Sequence, residues 1–427
     1  MLLNSFLPLL AANHPSIRVQ EDDQISASTR STRRHEADDL DVKFEDANSN
    51  IKRTPSPLAL STKISAKGVG LGYIGAVAMQ LVSILLLLDL NKFAASTAVS
   101  TRLRTILFCV GLVWMLGTIP CALWLRDRPG PPLNVTPKAH TSSIRRVATY
   151  ITFAWTSVFA TIRIAIQLPQ LSLFLVAWFL LSDAIATVSG TAILFARTEL
   201  KMDTVSIAVL SITATSSGIA GAFCWPPVAR YFNLRPHNTI VACVFLMLII
   251  PIYGLIGYLP FVKSWGVGGL QQAWEIYPLG LVHGFVMGGL SSYCRSFYGQ
   301  LIPPGSEAAF YALYSITDKG SSAVGPAVVG VIVDYVGSIR PAFAFLAVLI
   351  ALPIPLLLVL DAEKGGADAK RMALRLGGRG GGSEHAEGMY TLGRDDDHND
   401  GDGEDGDANG DVDSSARQVL LPHEQAG

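Results

Sequence analysis

The chain has 427 residues, of which half are hydrophobic and only 16% are charged, and its mean hydropathy is +0.38. A soluble domain carries about a quarter charged residues. The apolar residues also form long uncharged blocks, whereas a soluble core distributes them at helix or strand period. These features exclude an ordinary soluble protein. The net charge of −1 provides no field that would attract nucleic acid.

The amino-terminal region contains a short apolar run followed by a polar segment. Residues 1–10 read MLLNSFLPLL. As a helix they reach only about 15 Å, half the thickness of a bilayer core. No cationic region precedes them and no clear cleavage site follows, so we do not interpret them as a signal peptide. We interpret them as the end of a truncated helix. Residues 11–67 are polar and mixed in charge, and they predict a linker.

Eight apolar blocks follow, each long enough to cross a bilayer, which takes about 20 residues. They are residues 68–88, 105–125, 171–196, 204–229, 239–262, 276–298, 306–336 and 341–360. The pattern predicts an all-α membrane protein with about eight transmembrane helices. Block 306–336 is too long for one straight span, so Gly320 and Pro326 are predicted break points.

The largest interruption between the blocks is residues 126–170. Its first part is rich in proline. Residues 150–168 are rich in aromatic and β-branched residues but contain the charged Arg163. We interpret 150–168 as an amphipathic helix at the membrane interface. The alternative, a true span, would invert the orientation of every later helix. The linkers and the start of the tail contain more Lys and Arg than the loops on the opposite side of the membrane, which favours a cytoplasmic position for the linkers and the tail. Residues 361–427 are Gly-rich and then acidic, and we predict that they are disordered.

Ionisable residues inside the apolar blocks are the candidate functional residues, because charge in a bilayer is costly. Asp183 lies midway along its block, and Thr187 and Thr191 follow on the same helix face. One hypothesis places Asp183 on a water-filled pathway, as a proton site or a site for a substrate amine. The alternative is a structural carboxylate paired with a neighbouring helix.

Block 276–298 carries two stripes of residues spaced four apart. The first is a glycine stripe that predicts close helix packing, formed by Gly280, Gly284 and Gly288. The second, one position further round, is formed by His283, Met287, Ser291 and Arg295. A neutral histidine can relay protons, and an arginine suits a substrate carboxylate or an aspartate partner. The alternative for Arg295 is a side chain that reaches the interface from the helix end.

Block 306–336 contains adjacent charges, Asp318 and Lys319. Neighbouring positions on a helix point about 100° apart, so we expect each charge to pair with a different helix. Tyr311, Ser315, Asp318 and Ser322 form one polar stripe. A broken helix beside this stripe would suit a transporter binding site. The alternative is an ion pair, with Asp183 or with a residue of another span, that joins two helices.

No residue pattern indicates an enzyme, a metal site or a cofactor. The chain has no nucleophile, zinc-protease or phosphate-loop motif, and its eight histidines are scattered. All five cysteines fall inside apolar blocks, which argues against a disulfide framework. They are Cys109, Cys121, Cys224, Cys243 and Cys294.

Four stretches of the chain resemble a fungal family of autophagy-related vacuolar membrane proteins in the major facilitator superfamily. They are NSFLPLLAANHP (4–15), KGVGLGYIGAV (67–77), FLLSDAIATVSGTAILFARTEL (179–200) and YCRSFYGQLIPPGSEAAFYALYSITDKGSSAVGPAVVG (293–330). The resemblance implies a multi-pass protein of the vacuole membrane that exports amino acids, chiefly large neutral ones such as leucine, isoleucine and tyrosine, to the cytosol after autophagic degradation. The partners of such a protein would be the lipid bilayer and amino-acid substrates. The resemblance does not decide whether transport is coupled to protons.

The same resemblance implies a major-facilitator bundle of twelve helices in two halves, eight of which are present here. Residues 68–125 would be the last two helices of the first half, 126–170 the central cytoplasmic linker and 171–360 the six-helix second half. Residues 1–10 would be the end of the fourth helix, and the first four spans would be lacking. An alternative function of another class is a membrane scaffold or receptor that acts through its cytoplasmic linker and its acidic tail.

Overall fold

The computed structural model describes residues 7–8, 10, 57–93, 99–124 and 143–378. Within these residues the secondary structure is helical and contains no strand, which confirms the all-α class. From residue 57 onward the α-helices are α1 (Pro57–Phe93), α2 (Val99–Trp124), α3 (Ser143–Ile166), α4 (Pro169–Thr198), α5 (Thr204–Tyr231), α6 (Pro236–Ile256), α7 (Pro260–Trp265), α8 (Ile276–Leu301), α9 (Glu307–Ser321), α10 (Val324–Val336), α11 (Ala342–Ala351), α12 (Pro353–Leu358) and α13 (Ala362–Gly378).

Six described helices are long and apolar enough to cross a membrane, judged by length and composition. They lie at Ala59–Leu86, Arg104–Trp124, Val147–Ile166, Pro169–Thr198, Thr204–Tyr231 and Pro236–Ile256. A seventh is formed if Ala342–Leu358 and Ala362–Leu376, which meet at a bend of 69°, count as one span. The chain therefore folds as a helical membrane protein.

The set of spans differs in part from the eight predicted blocks. Block 276–298 forms α8, a helix of 26 residues, but its glycines, serines, His283 and Arg295 make it less apolar than the six. Conversely, Val147–Ile166 meets the criterion for a span, although residues 150–168 were interpreted as interfacial. The interfacial position of α3 stays a prediction.

Two regions predicted to be linker or disordered tail contain helix. Helix α1 begins at Pro57, eleven residues before its apolar block, with proline in the first turn where its missing N–H is not needed. Leu60, Thr62 and Ala66 of this extension are buried. Helix α13 begins one residue after the predicted tail starts, because apolar side chains recurring at helical spacing pack it onto the bundle. Residues 11–56 and the acidic stretch 395–413 lie outside the described residues.

Block 306–336 is broken as its length requires, but the predicted break points were wrong. Helix α9 ends at Ser321 and helix α10 begins at Val324, so the break lies between Gly320 and Pro326 instead of at either residue. Gly320 remains inside α9, where an added Cβ would meet open space. Pro326 lies in the first turn of α10, which tolerates proline because that turn has no internal acceptor for the N–H.

The described helices pack in two groups that meet along α6 and where α4 contacts α8. In one group α8 packs against both α1 and α5, and α1 also contacts α5. In the other, α4 contacts α9, α10, α11 and α12. Helix α6 contacts α8 on one side and α11 and α12 on the other. The seam between the two groups is where a cavity can form.

Candidate transport site

Helices α5 and α8 meet with their backbones in contact. A Cβ added to Gly284 or Gly288 would overlap the carbonyl oxygens of Ala214 and Gly218 on α5, and one added to Gly280 would lie 2.8 Å from Cδ1 of Leu210. The structure thus places the glycine stripe of α8 against α5. Packing of this kind, in which small residues let two backbones approach, is typical of membrane helix pairs.

A cavity of about 320 Å³ adjoins this contact, between the two groups of helices. Its wall is supplied by α1, α4, α5, α6, α8, α11 and the loop before α8, and most of the lining side chains are apolar. The polar side chains of the lining are Tyr73, Ser189, Ser211, Thr215 and His283. No acidic residue, lysine or arginine lines the cavity within the described parts of the chain.

His283 presents an unused nitrogen in this wall. Its Nε2 lies 3.2 Å from the Ser189 hydroxyl, which itself donates to the carbonyl of Ile185 at 2.9 Å. The Ser189 oxygen is therefore the acceptor, and Nε2 of His283 carries the proton. Nδ1 is then an acceptor, and this buried atom has no hydrogen-bond partner among the described residues. A buried acceptor without a donor is rare in proteins and needs an explanation.

The second stripe of α8 continues from the cavity toward the other end of the helix. His283 and Met287 line the cavity. Further along, Ser291 and Arg295 lie near the phenol of Tyr73, which projects from α1. The guanidinium of Arg295 is half-buried, and it makes no hydrogen bond or ion pair inside the described ranges. The structure therefore brings His283 to the cavity and places Arg295 beyond Tyr73.

Asp183 lies outside the cavity lining and holds the break between α9 and α10. The residue is buried, and its Oδ1 accepts the backbone N–H of Gly325 at 2.9 Å. That N–H is in the first turn of α10, where no internal acceptor exists. The hydroxyl of Thr187 occupies the space that a Cβ at Gly325 would need. Asp183 and Thr187 thus dock α4 against the start of α10.

Ser182 extends this contact to the end of α9. Its hydroxyl lies 2.7 Å from Oδ1 of Asp318 and 2.9 Å from the Asp318 carbonyl oxygen. Asp318 thus contacts another helix as predicted, but the prediction was wrong for Lys319, whose Nζ lies 3.1 Å from Oδ2 of the neighbouring Asp318 and whose side chain is 78% exposed. The flexible lysine stem allows this pairing between adjacent residues. Among the described residues Lys319 makes no ion pair with Asp183, whose Oδ1 accepts the N–H of Gly325 instead.

The remaining predicted residues do not line the cavity. Tyr311 is buried, and its hydroxyl donates to the carbonyl of Arg295 at 3.0 Å. Ser315 donates to the carbonyl of Tyr311 within α9, and Thr191 is buried along α4. Tyr311 belongs to an aromatic cluster whose rings pack at centroid distances of 4.8–6.4 Å, formed by Phe174, Trp178, Phe297, Tyr298, Tyr311 and Tyr314. This cluster fills the end of the bundle opposite the cavity.

Sequence reasoning missed Glu275, which organises the loop before α8. Its carboxylate is buried and accepts the N–H groups of Gly268, Leu270, Gln271 and Gln272, with N–O distances from 2.7 to 3.3 Å. The hydroxyl of Tyr253 adds a further donor at 3.1 Å. The signal in the sequence was a glutamate following the glycine-rich GVGG, just before an apolar block.

These contacts make the pH dependence of the loop predictable. Burial raises the pKa of Glu275, but the hydrogen bonds from the loop amides and Tyr253 outweigh it, so the pKa lies below its ordinary value of 4.5. The stability that an ionised Glu275 contributes is present above the ordinary pKa and is lost as the pH falls through the lowered pKa. We expect unfolding curves of wild type and Glu275→Gln to keep a constant separation from about pH 7 to 5 and to converge below about 4.5. If the two unfolding curves already converge between about pH 7 and 5, the pKa of Glu275 is not lowered.

Comparisons with known proteins assign the chain to a family. The profile of the family described as vacuole effluxer Atg22 like matches residues 1–370. The chain is 56% identical over 382 residues to autophagy-related protein 22-1 of Sclerotinia sclerotiorum and 56% identical over 387 residues to autophagy-related protein 22 of Botryotinia fuckeliana. Autophagy-related protein 22-2 of Aspergillus niger is 54% identical over 383 residues.

The matches cover 87% of this chain for the first two relatives and 86% for the third. The chain spans 64% of the length of each relative. The family resemblance inferred from four sequence stretches is thereby confirmed, and the family is one of effluxers, not of enzymes. The chain belongs to the Atg22-like vacuole effluxer family.

Proposed function

We propose that the chain forms part of a vacuole-membrane transporter that exports amino acids, chiefly large neutral ones such as leucine, isoleucine and tyrosine, from the lumen to the cytosol after autophagic degradation, by alternating access. The observation that carries the proposal is the cavity at the seam of the two helix groups, with His283 in its wall. Ligand sites are typically apolar cavities with a few placed polar groups.

The size and lining of the cavity favour a single neutral amino acid. Its volume of about 320 Å³ is at the lower end of the range for small-molecule sites, roughly 300–1,000 Å³. An apolar wall stabilises an apolar side chain, and a charged side chain would lose its hydration there without a partner. A turn of the His283 ring that exposes Nδ1 to the cavity would let this nitrogen accept from the substrate ammonium group.

The orientation of the cavity suits uptake from the lumen. If residues 126–170 are cytoplasmic, α4 starts at the cytosolic face, and the end of α4 and the starts of α5, α8 and α11 face the lumen. The cavity lines up with those luminal ends. The aromatic cluster lies toward the cytosolic end, and Arg295 lies on that side of Tyr73. In this arrangement Arg295 would receive the substrate carboxylate after Tyr73 has moved.

The polar residues at the helix break have a different part in the proposal. Asp183, Thr187 and Asp318 fix the position of α10 against α4 without touching the cavity. We further propose that α1 and α2 are the last two helices of a first half and that α4 to α12 form the second half. The contact of α1 with α5 and α8 supports this division, because it places the cavity between the halves.

The test of the proposal uses His283→Leu in vesicles loaded with labelled leucine. The 427-residue wild-type chain is expected to release leucine, and the variant is expected to lose about 10–100-fold in transport efficiency, because a hydrogen bond to a charged group contributes about 1.5–3 kcal/mol. Initial efflux rates over a range of leucine concentrations give this comparison.

His237→Leu is the matched control, because Nδ1 of His237 is also buried without a partner among the described residues but lies outside the cavity lining. Its efflux is expected to equal that of wild type. Wild-type vesicles that release no more leucine than empty ones would contradict the proposed function. Equal losses in the two histidine variants would remove His283 from the site.

A further inference from the structure

The loop between α7 and α8 forms one wall of the cavity and is fixed from two sides. Glu275 gathers its backbone N–H groups, as described above. On the other side, Nη1 of Arg340 lies 3.3 Å from the carbonyl oxygen of Gly269, and Nη2 lies 3.5 Å from that of Leu270. The guanidinium also lies over the ring of Phe195, 5.9 Å from its centroid, and Phe195 lines the cavity. An acidic and a basic side chain therefore hold the same short segment.

Leu270 is the loop residue that these contacts present to the cavity. It is buried, it lines the cavity, and its backbone has a φ of +62°. A bulky side chain disfavours this left-handed conformation, which persists only where the surroundings impose it. Here its N–H is held by Glu275 at 2.7 Å and its carbonyl by Arg340. The backbone of Gly269 also packs directly on that of Gly257, so closely that a Cβ at either glycine would overlap the backbone of the other.

We propose that Leu270 determines which amino-acid side chains the cavity accepts, with Glu275 and Arg340 as positioning residues that keep it fixed. The inference rests on the proposed function and deepens it. A wall residue on a flexible loop would yield to a larger ligand, whereas one held at both its N–H and its carbonyl imposes a size limit. Adding or removing a methylene in a fixed apolar pocket changes selectivity by about 10–200-fold.

Leu270→Ala tests the size limit in a binding measurement. The detergent-solubilised chain is titrated with leucine and with tryptophan, and the rise in unfolding temperature gives the half-saturating concentration of each. Replacing the isobutyl group by a methyl group enlarges the cavity, so we expect the affinity ratio of tryptophan over leucine to rise at least about tenfold. The ratio does not depend on how much of the variant is folded.

Two further variants separate size selection from general loosening. Val262→Ala removes a buried contact in the same region, since Val262 packs beside Gly268 but does not line the cavity, and it should leave the ratio unchanged. Glu275→Gln frees the loop, and it should move the ratio in the same direction as Leu270→Ala but by less.

The outcomes distinguish this inference from the proposed function. A wild-type chain that binds leucine but does not release it from vesicles contradicts the function and leaves the binding comparison decisive for Leu270. An unchanged ratio in folded Leu270→Ala overturns the inference. It is also overturned if the wild-type chain binds neither amino acid, or if Val262→Ala shifts the ratio as far as Leu270→Ala does.

Discussion

Replacing Gly284 by alanine is expected to lower the free energy of unfolding by about 1–3 kcal/mol or more, the range for overpacked interiors. The added Cβ would overlap the carbonyl oxygen of Ala214, and its nearest neighbours are backbone atoms of Ala214 that no rotamer change can remove. Helices α5 and α8 would have to separate. Because α8 also forms the cavity wall, leucine efflux should fall together with stability. Thermal unfolding in detergent micelles measures the first effect, and vesicle efflux the second.

Gly190→Ala is the matched control for that variant. Gly190 is also a helical glycine, but an added Cβ there meets nothing within 4 Å. The substitution should stabilise α4 slightly, by up to about 1 kcal/mol, because alanine has the higher helix propensity. Equal unfolding temperatures for Gly284→Ala and Gly190→Ala would show that α5 and α8 are not in backbone contact.

Replacing Asp183 by leucine has the second large expected effect. The N–H of Gly325 would lose its acceptor inside the bundle, and an unsatisfied buried donor costs about 1–3 kcal/mol. We expect a lower unfolding temperature, and hydrogen exchange should show faster opening of the Gly325 amide than in wild type.

Asp183→Asn separates the hydrogen bond from the charge. The amide oxygen of asparagine can still accept from Gly325, so this variant should keep most of the stability and most of the efflux. Lys319→Met serves as a control at the same break, and it should change stability by less than about 1 kcal/mol, because an exposed ion pair contributes little. If Asp183→Asn is as damaging as Asp183→Leu, the charge itself is required, as for a proton site.

The features that the sequence predicted well depend on local pattern. Long uncharged blocks indicate membrane helices because the cost of burying charge in lipid does not depend on the rest of the fold. The four-residue spacing of Gly280, Gly284 and Gly288 also has few interpretations, since glycines on one helix face are of use mainly where another backbone approaches. His283, one position round from these glycines, accordingly lies beside the helix contact and faces the cavity.

The features that it could not predict depend on which elements meet in three dimensions. Whether Asp183 binds a substrate, a cation or a backbone amide is decided by the position of the α9–α10 break, and spacing along the chain does not define that position. Adjacent positions on a helix also do not fix the ends of long side chains, so Lys319 reaches Asp318 after all. The hydrogen bonds of Glu275 with four loop amides could not be predicted either. They depend on the path of a loop whose glycines allow many backbone conformations.

The bend of 69° that turns the chain from α12 into α13 has a mechanical consequence. Gly365 of α13 lies against Leu301 at the end of α8 and against Gln170 at the start of α4, while the Gln170 side chain accepts the N–H of Asp361. One short helix is thus fastened across the tips of two long ones that belong to different packing groups. A movement that separates those two helix ends would have to break the contacts of α13 with at least one of them. Helix α13 therefore limits how far the two groups can separate at this end of the bundle.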